Sequence, residues 1–198
     1  MSLTSSAMVD DPAVPRPTQW NQPQSIAPAP FWALFAGVLL LAATAVGYFG
    51  RRVFLWSDDY VFLIDAQGKT VTWDQLKVPL FGHFSPVSQF TDVLVAANLP
   101  AHPWLVRTIL LLLSIAVIGA VGFLMVGLFG RTWLTLIGTA LAAPSLGLLP
   151  LVNWWTAGVN IMPAMVGVAL CLGGIVRLVR GGSVWWGVPA VGGYLLAV

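Results

Sequence analysis

The residues of this chain that can do chemistry are crowded into one stretch. Between Arg51 and Arg107 lie Asp58, Asp59, Asp65, Lys69, Asp74, Lys77, His83, Asp92 and His102. The adjacent pair Asp58-Asp59 follows an uncharged apolar run from Phe31 to Gly50, with Arg51 and Arg52 between the run and the pair. A carboxylate beside hydrocarbon is costly, so one at the mouth of an apolar span is a functional candidate by default. These residue types have definite uses. A carboxylate can accept the proton of an attacking hydroxyl. The planar fork of an arginine binds phosphate through paired N–H donors. Carboxylates, an imidazole and arginines at a membrane surface suit a phosphate-bearing lipid substrate.

The elements that hold these residues follow from composition. Of 198 residues, 58% are hydrophobic and only 8% are charged, against about 25% charged in a soluble domain. The mean hydropathy is +0.87, which marks an integral membrane protein. The net charge of +2 and the absence of any basic run leave no basis for binding nucleic acid. The single cysteine, Cys171, cannot form an intrachain disulfide and reads as a small buried hydrophobe.

The expected fold class is all-α, a polytopic transmembrane helix bundle. Residues 1–30 form a proline-rich polar tail expected to be disordered, and it lacks the basic start of a signal peptide. Spans are expected at about 31–50, 105–129, 133–152, 159–176 and 184–198, each apolar and at or near the length that crosses a bilayer. The last run is short for a span, so the chain reads as a piece of a longer protein. Most of the tryptophans, Trp154 and Trp155 among them, fall near span ends, where an aromatic belt is expected. Arg131, Arg177 and Arg180 mark two turns as cytoplasmic, and the 153–158 turn has no Lys or Arg. The positive-inside bias then places the N-terminus in the cytoplasm and the 51–104 loop outside. Arg51 and Arg52 run against that bias unless they have work to do there.

Within the loop, Thr72 followed by Gln75 is a capping box, so a short helix is expected from Trp73. Ser85-Pro86 predicts the start of a second helix, closed by Asn98 and Pro100. Val87, Phe90, Val93, Leu94 and Ala97 share one face of it. Both read as short amphipathic helices on the membrane surface, with His83 between them.

An acidic pair just past the first span, inside a large first outer loop, resembles the C-type glycosyltransferase superfamily. These multi-span enzymes use lipid-phosphate-linked sugars. Gly82-His83-Phe84-Ser85-Pro86-Val87-Ser88 is similar to the "SH…RPL" element of one branch, although no arginine precedes Pro86 and Val87 stands in place of leucine. The segment "NWWTAGVNIMPA", Asn153 to Ala164, resembles that branch's W-x-x-G segment, with Val159 and Asn160 at or near the places of its usual arginine and aspartate. The resemblance covers roughly residues 31–175. It implies an inverting transfer of a sugar from a polyprenyl-phosphate donor to an acceptor hydroxyl, at the outer face of a bacterial plasma membrane. Asp58 would be the base. Asp59 would orient the acceptor or a divalent metal, and Arg51, Arg52 and His83 would hold the phosphate. The competing expectation is a non-catalytic membrane module that docks a partner through its first loop. A transporter is disfavoured because the second to fourth spans carry no central charge.

Overall fold

The structure, a computed structural model, describes residues 24–52, 55, 57–79, 84–99, 101–102, 104–142, 144–145 and 148–197. Within these residues all regular structure is helical. Most of the expected disordered tail, and His83, lie outside them.

Helix α1 spans Pro28–Phe49, starting a little before the expected Phe31. Pro28 fits the first turn because its missing N–H would have had no intrahelical partner. The stretch before the next long helix carries α2 (Ser57–Ala66), α3 (Trp73–Leu76) and α4 (Pro86–Asn98). Helix α5 follows over Trp104–Phe129, then α6 (Trp133–Ala142), α7 (Leu148–Asn153), α8 (Trp155–Val179) and α9 (Gly187–Ala197). Three of these, α1, α5 and α8, are long and apolar enough to cross a membrane.

The third apolar run does not form one rod. Its helix α6 stops at Ala142, and α7 follows over Leu148–Asn153. Pro144 supplies the reason, since a proline lacks the donor a helix needs and disfavours helical geometry in the residue before it.

Helix α8 is the axis of the fold and packs against α5, α9, α4 and α2. Leu110, Val117 and Ile118 of α5 meet Trp155, Val159 and Met162 of α8 in the buried apolar core. Against α9 the approach is closer still. A Cβ on Gly167 would lie 2.5 Å from the Gly193 carbonyl oxygen, and one on Gly193 would lie 2.5 Å from that of Gly167. Small residues permit such backbone contact, which supplies dispersion attraction where lipid offers little hydrophobic drive.

Helix α4 buries the face opposite to its apolar stripe. Ser88, Gln89, Thr91, Asp92, Val93 and Val95 are buried, while Phe90 and Ala97 are exposed. Of the expected apolar face, only Val93 is fully buried. The polar side faces the other helices because partners for it exist there.

Candidate functional site

Helix α8 begins without a cap of its own. Trp154 occupies the N-cap position and makes no side-chain capping bond. The first N–H groups of a helix have no intrahelical acceptor, and the dipole there favours negative charge. Asp59 of α2 supplies both needs. Its Oδ1 accepts from the Thr156 backbone N–H at 2.8 Å and from the Thr156 hydroxyl. The residue is 0% exposed.

A second carboxylate holds the neighbouring residue. The Trp155 indole Nε1–H donates to Asp92 Oδ1 at 2.8 Å, both side chains being buried. Burial pushes the Asp92 carboxyl up from 3.8 to about 6; the Trp155 bond opposes that rise and the nearby Asp59 charge adds to it. Trp155 is therefore not a belt residue. It is buried in the core, whereas Trp32, Trp104, Trp133, Trp154 and Trp185 are exposed.

A third link answers a defect in α8. Pro163 cannot donate to the carbonyl four residues before it, which is that of Val159. The Ser88 hydroxyl of α4 takes that oxygen at 3.0 Å and also lies 2.8 Å from Asn160 Oδ1. Asn160 Nδ2 donates back to the Thr156 carbonyl at 2.8 Å. Ser88 thus meets Val159 and Asp92 meets Trp155, so the higher-numbered residue of one helix pairs with the lower-numbered residue of the other. Helices α4 and α8 run antiparallel here.

Ser88, Thr156, Val159 and Asn160 of this network line a cavity of about 590 Å³. Asp58, Ser88, Thr156 and Asn160 give it a polar side, and α8 and α9 give it an apolar one that includes Val159, Pro163 and Leu195. Asp58 is half-buried at this cavity. Successive helical residues point about 100° apart, so α2 turns Asp59 into the packing with α8 and Asp58 toward the open space.

The sequence-expected site residues are placed unequally. Asp58 and Asp59 stand together at the start of α8. Arg51 does not line the cavity; its guanidinium lies 3.7 Å from the centroid of the Tyr48 ring, a cation–π contact. The Arg52 side chain and all of His83 lie outside the described residues, although Phe84, next to His83, lines the cavity. Among the described residues no three His, Cys, Asp or Glu side chains are grouped to hold a metal. Asp59 commits its Oδ1 to Thr156 and so caps the start of α8.

Ser88, Asp92, Trp155, Thr156 and Asn160 were assigned no role in the site from sequence. A signal for some of them existed. Ser88 and Asp92 are four apart, hence on one helical face, and Pro163 implies a free carbonyl at Val159. Comparison with family models, with curated proteins and with solved structures gave no match.

Proposed function

We propose that this chain is a membrane glycosyltransferase of the C type, an all-α polytopic bundle with α2 to α4 in its first outer loop. It transfers a sugar from a polyprenyl-phosphate donor to an acceptor hydroxyl. The observation that carries the reading is the division between the paired acids. Asp59 is locked to α8, while its neighbour Asp58 faces a cavity with one polar and one apolar side. A carboxylate held at a fixed place beside such a cavity is what a base for a lipid-borne reaction requires.

The step balances with that single base. The acceptor hydroxyl gives its proton to Asp58 as its oxygen attacks the anomeric carbon. The bond from that carbon to the phosphate oxygen breaks, and polyprenyl phosphate leaves with the electron pair. Phosphate is already a good leaving group, so no general acid is needed. Attack opposite the leaving group inverts the configuration. Arg51, Arg52 and His83 are the phosphate-binding residues in this reading, which requires Arg51 to turn from the Tyr48 ring toward the cavity. Ser88, Thr156 and Asn160 form the polar wall beside the base.

The test is transfer itself. Membranes containing the full-length protein are incubated with radiolabelled sugars on polyprenyl phosphates, and lipid and polymer fractions are examined for label. The reading expects transfer from at least one donor with inverted anomeric configuration. Label that stays on the donor across the panel sinks it and favours a module that docks a partner through the 51–104 loop.

A further inference from the structure

Two acids from two different helices grip adjacent residues at one helix start. Asp59 of α2 holds Thr156, and Asp92 of α4 holds Trp155. The two residues point about 100° apart around α8. Their bonds therefore pull in different directions and fix the rotation of α8 as well as its position. One helical turn further on, Val159 lies below Trp155 and Asn160 below Thr156. Ser88 reaches both. The rotation set at residues 155 and 156 thus decides which residues of α8 line the cavity beside Asp58.

We propose that Asp92 is a positioning residue for this site: through the Trp155 indole it sets the rotation of α8 and so the placement of Asn160 and Thr156 in the polar wall beside Asp58. The choice of an acid has a consequence. The ionisable group acting on Asp92 from α2 is Asp59, and α8 presents the Trp155 indole. The cation of α5, Arg107, is turned to the Gly47 carbonyl oxygen at 2.8 Å. With its carboxyl raised to about 6 by burial, Asp92 changes charge near pH 6 while keeping an oxygen that accepts from the indole. What Asp92 positions rests on the glycosyl-transfer reading; the bond and its effect on the cavity do not.

The experiment has an arm for each. In ¹⁵N-tryptophan protein in nanodiscs, the Trp155 indole resonance is assigned by its loss in Trp155→Phe. It is expected to move with a midpoint near pH 6 in the wild type and to stay flat in Asp92→Asn. Ala157→Cys in a Cys171→Ala background reports the cavity wall. Its maleimide reaction rate is expected to change by about threefold or more when Asp92→Leu removes the acceptor, but little with Asp92→Asn. In the transfer assay, Asp92→Leu and Trp155→Phe are each expected to lower kcat by about tenfold with KM little changed, and the double variant no further. Asp92→Asn is expected to keep kcat within about threefold and to flatten its pH profile near pH 6. An indole resonance indifferent to pH and to Asp92→Asn overturns the proposal. So does a folded Asp92→Leu protein in which the Ala157→Cys thiol reacts at an unchanged rate, or in which kcat is unchanged. Absence of transfer by the wild type would defeat the glycosyl-transfer reading and leave the first two arms to decide the clamp.

Discussion

Asp58 and Asp59 are neighbours in sequence with different surroundings in space. That an acidic pair stands at the end of the first span was legible from residue type and place. Which acid is buried was not, because it depends on where the start of α8 falls. Asp92 was equally opaque, since its partner is far along the chain and belongs to a residue type that ordinarily ends at the membrane interface. Its titration gives a prediction with a definite sign. The Asp92 carboxyl binds its proton more tightly in the folded protein, at about 6 against 3.8. Between those values the folded state holds more protons than the unfolded state, so its contribution to stability is present below about pH 4 and is lost as pH rises through 6. Thermal melts of Asp92→Asn from pH 4 to 7 should therefore lack a downward slope that the wild type shows. Equal slopes would mean that Asp92 is ionised throughout. Thr156→Val keeps the backbone donor to Asp59 and removes the hydroxyl. It is expected to cost about 1–3 kcal/mol in a chemical unfolding titration, because a buried acceptor loses a partner.

At the scale of elements, helix starts were readable and helix faces were not. Thr72 accepts from the Gln75 N–H at 3.2 Å, and Gln75 goes on to bond Gln89 of α4 at 2.9 Å. The start of α4 at Pro86 follows from the proline's fixed geometry. Its orientation was harder, because the rule that apolar faces turn inward presumes water outside. Where lipid or an interface lies outside, Phe90 can stay exposed and Ser88 and Asp92 find their partners on α8. The Ser88 to Val159 bond makes this testable. Ser88→Ala is expected to destabilise the protein by about 1–3 kcal/mol, since it leaves the Val159 carbonyl oxygen without a donor. Adding Pro163→Ala restores the backbone N–H that the helix lacks there, so the double variant should recover most of the loss. Failure to recover would mean that Pro163 leaves no carbonyl for Ser88 to satisfy. Between α8 and α9 the backbones are too close for any side chain at Gly193. Gly193→Leu should push the helices apart, enlarge the cavity that Leu195 lines, and lower the melting temperature by several degrees.

At the scale of the molecule, length and hydropathy were enough to find α1, α5 and α8. They did not reveal that the third run is broken, because hydropathy is blind to the donor missing at Pro144. Two arginines near the helix ends are held by backbone carbonyl oxygens. At the far ends of α5 and α8, Arg177 donates to the Phe123 and Gly173 carbonyl oxygens, and Arg180 donates to that of Gly127. Cations at helix C-termini are also favoured by the dipole. If the positive-inside bias holds, residues 67 and 157 share the outer side. Gln67 suits a reporter cysteine, whereas the next residue, Gly68, has a φ of 76° that favours glycine. Single cysteines at Gln67 and Ala157 in a Cys171→Ala background should both react with an impermeant maleimide in intact cells. Labelling of one and not the other would break the arrangement.

In the glycosyl-transfer reading, Asp58 takes the proton of the attacking hydroxyl while Asp59 holds the start of α8 beside it. Turnover of Asp58→Asn in the polyprenyl-phosphate transfer assay tests this most directly, with Asp59→Asn measured alongside. Asparagine keeps the shape of Asp58 and removes the base, so kcat should fall by about 10²- to 10⁴-fold while the protein stays folded. Asp59→Asn keeps an acceptor for Thr156 and should lose less. Near-normal turnover by Asp58→Asn would rule out Asp58 as the base, because the cavity would then hold a carboxylate that the reaction does not use.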